Sequence, residues 1–273
     1  MSELLELLSY PFIQRALVVG VLVSLCAALL GVSLVLRRYS MIGDGLSHVG
    51  FGALALAAAL NVAPLKVTIP IVIIAAFFLL RLTQNHKVKG DSAIAIISTG
   101  SLALGVMVIS LTEGMNTDLN SYLFGSILAT NKEDMVLSII FSVIVILLFL
   151  LFYNKIFALT FDEEFAKATG MNVGLFNMLI AVLTAITIVI GMRIMGSMLI
   201  SALIIFPAIT AMRVFKTFKT VTICSAILSV LGFLVGFLIS CVYGTPTGAS
   251  VVVVNIVFLI LSSLISAFRK VKK

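Results

Sequence analysis

The sequence predicts an all-α, polytopic helix bundle that spans a membrane. Of 273 residues, 62% are apolar and 11% charged, against about 25% charged in ordinary soluble domains. The apolar residues fall in blocks of about twenty, the length that crosses about 30 Å of hydrocarbon. These blocks lack strict alternation, so backbone amides in lipid are satisfied within helices and not in a barrel.

Nine apolar segments follow in order, each closed by charge or by a Pro or Gly turn. Segment 16–36 ends at Arg37 and Arg38, and 41–60 holds the two ionisable residues discussed below. Segment 65–80 is the short one, so eight spans are the alternative count. Segment 92–111 follows the basic stretch QNHKVKGD, whose His86 reads as solvated, and 135–153 follows an acidic stretch. Segment 173–192 follows DEEFAKATG, and 197–212 contains Pro207, which kinks a helix and frees carbonyls. Segments 221–242 and 249–268 flank the tight turn Thr245-Pro246-Thr247-Gly248. No linker, low-complexity tract or repeat interrupts the chain, which reads as one transmembrane domain over 1–273.

Cytoplasmic loops collect Lys and Arg. With the amino terminus outside and the carboxyl terminus inside, only Arg15, Lys66, Lys132 and Arg193 of the 18 basic residues lie outside. The long outer loop 112–134 instead carries Glu113, Asp118, Glu133 and Asp134. The formal charge of +7 thus reads as orientation in a lipid membrane and not as a nucleic-acid face. Cys26, Cys224 and Cys241 sit singly in apolar blocks, which argues against disulfides and a thiolate metal site. The opening MSELLELLSYPF has no basic n-region and predicts no cleavable signal. The outer stretch 119–135 reads as a short interfacial or re-entrant helix capping the bundle. Residues 162–170 read as another, on the cytoplasmic face, with Asp162, Glu163 and Glu164 suited to its start and Gly170 to its end.

Asp44 and His48 are the ionisable pair inside a span, in MIGDGLSHVGFGALALAAAL. Four residues apart on a helix, they share one face, so a carboxylate oxygen and an imidazole nitrogen converge on one cation. A charge at the bilayer centre costs at least about 2.5 kcal/mol on insertion scales, which marks such residues as functional. The structural alternative is an Asp–His hydrogen bond holding helices together. The donor pair suits zinc or manganese better than copper(I). Ser47 supplies a third oxygen or else bonds its own backbone. Gly43, Gly45, Ser47, Gly50 and Gly52 make a face that serves close helix packing or leaves room for an ion. Two ligands are too few for a tight tetrahedral site, whereas a symmetric dimer brings four to its axis. Ser98, Thr99, Ser101 and Asn177 read as interhelical hydrogen-bonding groups. No P-loop, H-E-x-x-H or G-x-S-x-G motif occurs, so no enzyme class is indicated.

Along most of its length the chain resembles the membrane permease subunits of bacterial ATP-binding-cassette importers for zinc and manganese. The resemblance rests on RRYSMIGDGLSH (37–48), KGDSAIAI (89–96), YLFGSILATNKEDM (122–135), DEEFAKATG (162–170), GSMLISALIIFPA (196–208) and TPTGAS (245–250). The wording YSMIGDGLSHVGFGALAL is closer to zinc-type members. The resemblance implies a homodimeric pore in the bacterial cytoplasmic membrane that is not itself an enzyme and binds no cofactor. Zinc, or manganese, is its transported substrate. Asp44 and His48 would contact the metal, and 162–170 would be the coupling helix docking a cytoplasmic ATP-binding subunit. Asp162 and Gly170 bound it, and Glu163, Glu164, Phe165 and Lys167 are its contacts. An extracytoplasmic metal-binding protein would deliver the ion. Where family members carry an acid two positions before the Pro of the outer turn, this chain has Gly244, so that turn receives no ligand role. Two readings of other classes stand beside it: a self-contained proton-coupled metal transporter using the Asp–His pair, and an intramembrane metalloenzyme using His48.

Overall fold

Hydrophobic spacing alone leaves helix ends open, and capping fixes them. The computed structural model describes residues 10–84, 90–112 and 132–271. These form α1 (Pro11–Leu36), α2 (Ile42–Ala59), α3 (Pro64–Gln84), α4 (Gly90–Leu111), α5 (Lys132–Leu151), α6 (Tyr153–Phe161), α7 (Glu163–Ala168), α8 (Val173–Met195), α9 (Ser197–Val214), α10 (Phe218–Tyr243) and α11 (Thr247–Val271). Pro11 stands in the first turn of α1, where its missing N–H costs nothing. The helix closes in a Schellman turn: Tyr39 N donates to Leu34 O at 2.8 Å, and Arg38 takes the left-handed position with φ 62°. α2 ends the same way at Asn61, φ 53°.

Among the described residues, eight helices are long and apolar enough to cross a membrane: α1 to α5, α8, α10 and α11. The fold is an all-α membrane bundle. The segment read as 65–80 gains length, because α3 runs on through Arg81 to Gln84. α9 is the exception among the nine expected segments, with an apolar stretch of only Leu199–Val214. It continues through Pro207, whose ring leaves the Leu203 carbonyl without its usual amide donor. α8 and α9 meet at Gly196 alone, which caps both at φ 89°.

One helix was not marked from sequence. The chain breaks at Phe152 and restarts as α6, which buries Ile156 and Leu159 and sets Phe157 and Phe161 against Phe218 of α10 at 5.3 and 5.9 Å between ring centroids. The expected outer helix at 119–135 lies outside the described residues as far as 131, as does His86. The three cysteines are unpaired.

α1, α2 and α8 are the most enclosed spans. α2 packs on α3 and α4 along one side and on α8 and α9 along the other. The other spans turn apolar residues such as Leu147, Leu150, Ile227 and Val257 outward, the distribution of a bundle whose solvent is hydrocarbon.

Candidate functional site

α2 carries the ionisable pair because its other faces are shaved to glycine. A Cβ at Gly45 would stand 2.7 Å from Ile94 Cγ2, one at Gly50 2.7 Å from Met192 Cε, and one at Gly52 2.7 Å from the Ser101 carbonyl oxygen. At Gly43 it would meet Ile204 Cδ1 at 3.1 Å. The small residues are therefore spent on approach to α4, α8 and α9, and the packing reading accounts for all four. Ser47 is buried and donates to the Asp44 carbonyl oxygen at 2.7 Å. Its hydroxyl serves its own helix.

Asp44 lies in the first turn of α2, where the helix dipole favours a carboxylate. Its Oδ2 is 3.7 Å from His48 Nε2. This is longer than a hydrogen bond, so the two side chains converge without closing on each other. Asp44 is 42% exposed and His48, one turn deeper, 20%. His48 Nδ1 is buried with no hydrogen-bond partner among the described residues. Nε2 and the carboxylate thus form a converging pair of N and O donors, one helical turn apart.

An open cleft of about 590 Å³ between α2, α9 and α11 reaches Asp44 and not His48. Met41, Ser201, Phe206, Ala249 and Val253 are among the residues that line it, and Asp44 is the ionisable one. No group of three or more His, Cys, Asp or Glu side chains assembles among the described residues. Asp44 and His48 are the two such side chains that meet there.

The second expected element is α7. Asp162 accepts a hydrogen bond from Phe165 N at 2.8 Å as its N-cap. Gly170, φ 82°, ends it with Met171 N donating to Ala166 O at 3.1 Å. Ala166 is buried, while Glu164, Phe165 and Lys167 face outward, Phe165 being 60% exposed. Glu163 is exposed as well, its side chain at 49%, and is also held from behind. Its two carboxylate oxygens accept from Arg37 Nη2 at 3.0 Å and from Asn177 Nδ2 at 3.4 Å. From sequence Arg37 reads as an orientation charge and Asn177 as an interhelical hydrogen-bonding group. Nothing local announces their pairing, because the partners are more than a hundred residues apart.

The sequence profile described as the ABC 3 transport family matches residues 9–266. The chain belongs to that family. It is 33% identical over 253 residues to the high-affinity zinc uptake system membrane protein ZnuB of Haemophilus influenzae, covering 93% of this chain and 97% of that one. It is 30% identical over 264 residues to the manganese import system permease protein ScaB of Streptococcus gordonii, covering 97% and 95%. Among solved structures it is similar to PsaBC from Streptococcus pneumoniae in complex with Fab, at 30% identity and a TM-score of 0.88 over 100% of this chain and 99% of that one. An inward-facing metal-chelate type ABC transporter, at 18% identity and a TM-score of 0.73, covering 93% and 85%, shares the fold. The chain is a multi-pass membrane permease subunit of a bacterial ABC importer for zinc or manganese. It is a transport subunit and not an enzyme, and it works with an ATPase and a substrate-binding partner.

Proposed function

We propose that two copies of this chain form a pore that carries zinc into the cytoplasm. Asp44 and His48 of each would make a transient site on the shared axis. The observation that carries this is the convergence of Asp44 Oδ2 and His48 Nε2 at 3.7 Å on an enclosed helix beside an open cleft. Two N,O ligands per chain become four in a dimer, and a site that must release its ion is better weakly held. The imidazole nitrogen favours zinc, while manganese, harder and more oxygen-seeking, is the second reading. The zinc-system relative at 33% and the manganese-system relative at 30% identity support either. With the amino terminus outside, α7 faces the ATP-binding subunit, which Glu164, Phe165 and Lys167 would contact, and the metal-binding protein docks on the opposite face.

Uptake of radioactive zinc and manganese by cells, measured alongside membrane abundance, tests this. Asp44→Ala and His48→Ala should each abolish uptake at unchanged abundance. Normal uptake in either variant would refute the site, and competition between the two metals in the wild type decides which is the substrate. For the dock, Phe165→Asp should lose the co-purifying ATPase while the permease still inserts.

A further inference from the structure

We propose that Arg37 is a positioning residue that ties the partner-facing helix α7 to the metal-bearing helix α2. The proposal rests on reading α7 as the ATPase dock. Arg37 closes α1, yet its side chain is only 8% exposed. Its guanidinium forks: Nη1 donates to Asn177 Oδ1 on α8 at 2.7 Å and Nη2 to Glu163 Oε2 in the first turn of α7 at 3.0 Å. Asn177, itself buried, completes the ring by donating to Glu163 Oε1. The Tyr39 ring lies 5.3 Å from the guanidinium carbon. Three helices are joined at one planar group.

The connection onward to the metal pair has little slack. After Arg37 the chain turns immediately through left-handed Arg38, and Tyr39 O accepts from Ile42 N at 3.0 Å as α2 begins. Asp44 follows within the first turn of α2. Displacement of α7 is thereby carried through Glu163 to Arg37, across a closed turn, to the helix that holds Asp44 and His48. On the other side, Asn177 fixes α8 against the same group, so α7 cannot shift without disturbing one of these bonds.

The chemistry of the fork separates this role from a plain cytoplasmic charge. Orientation in the membrane needs only a positive charge, which lysine supplies. A planar group bonding Asn177 and Glu163 together does not survive replacement by a point charge.

The test uses the complete transporter in proteoliposomes, with zinc uptake and ATP hydrolysis measured together. Arg37→Lys and Glu163→Gln should keep the ATPase at wild-type stoichiometry and hydrolyse ATP, while zinc moved per ATP falls about tenfold, the scale of a lost charge-assisted hydrogen bond. The exchange Arg37→Glu with Glu163→Arg should recover part of that ratio relative to either half alone. An unchanged ratio in Arg37→Lys or in Glu163→Gln overturns the proposal, so it stays exposed if one of the two fails to assemble. ATPase retained by Phe165→Asp would instead overturn the docking reading beneath it. A normal ratio in Arg37→Lys together with loss of ATPase in Phe165→Asp overturns the Arg37 link alone.

Discussion

Arg193 Nη1 donates to Asp134 Oδ1 at 2.7 Å, joining the last turn of α8 to the first turn of α5. Both side chains are largely buried, so each charge depends on the other for solvation. Arg193→Leu alone should destabilise the purified permease by on the order of 3 kcal/mol, because it strands a carboxylate, and Arg193→Leu with Asp134→Leu should recover most of the loss. Thermal unfolding in detergent measures both. A single variant that melts like the wild type would mean the pair is solvated and contributes nothing.

The basic residues predict a topology that labelling can check. In a background lacking Cys26, Cys224 and Cys241, Lys132→Cys should react with an impermeant maleimide in intact cells, and Lys167→Cys only after the membrane is opened. Reaction of Lys167→Cys from outside would invert the map and remove α7 from the ATPase side.

Gly52 and Gly100 make a matched pair of alanine substitutions. At Gly52 the new Cβ would sit 2.7 Å from the Ser101 carbonyl oxygen, backbone that cannot swing aside, so α2 and α4 must separate. Overpacking of this kind costs about 1–3 kcal/mol. At Gly100 on α4 nothing lies within 4 Å, and Gly100→Ala should be neutral or gain up to about 1 kcal/mol from helix propensity. Equal melting temperatures for the two variants would contradict the close α2–α4 contact.

Arg38 holds φ 62°, a conformation that costs an L-residue about 1–2 kcal/mol. Arg38→Gly should therefore raise the melting temperature and leave zinc uptake intact, in contrast to the fall expected of Arg37→Lys next to it. A fall in stability would show that the Arg38 side chain makes a contribution larger than the strain.

The parts of this architecture written in short-range pattern were legible from sequence. Block length announced the spans, a four-residue interval announced Asp44 and His48, and an acid and a glycine bracketed α7. Long-range partners were not, because Arg37 meets Glu163 and Asn177 only after three helices have packed, and a basic residue at a span end already has a sufficient explanation as a topological signal. α6 escaped because hydropathy marks lipid contact and not helix, and its 9 residues, with Asn154, Lys155 and Thr160 among them, fall far short of a span. The same limit shortened α3, whose polar tail from Arg81 is helical although not lipid-like. For Ser47 the sequence left two hydrogen-bonding fates, and burial against neighbouring helices chose the backbone.

Gly196 is the whole of the link between two helices. Two rigid rods, α8 and α9, share that single residue as a fulcrum, and the 18 residues of α9 make a lever arm of roughly 27 Å. A tilt of about 5° at the fulcrum displaces the far end by roughly 2 Å, the scale on which packed helices shift between discrete states. Leu199, Ser201, Ala202, Ile205 and Phe206, which wall the cleft opposite Asp44, all ride on that arm. Any change in the angle at this one glycine would thus alter the aperture beside the carboxylate, and Gly196→Ala, strained at φ 89°, would shift that angle.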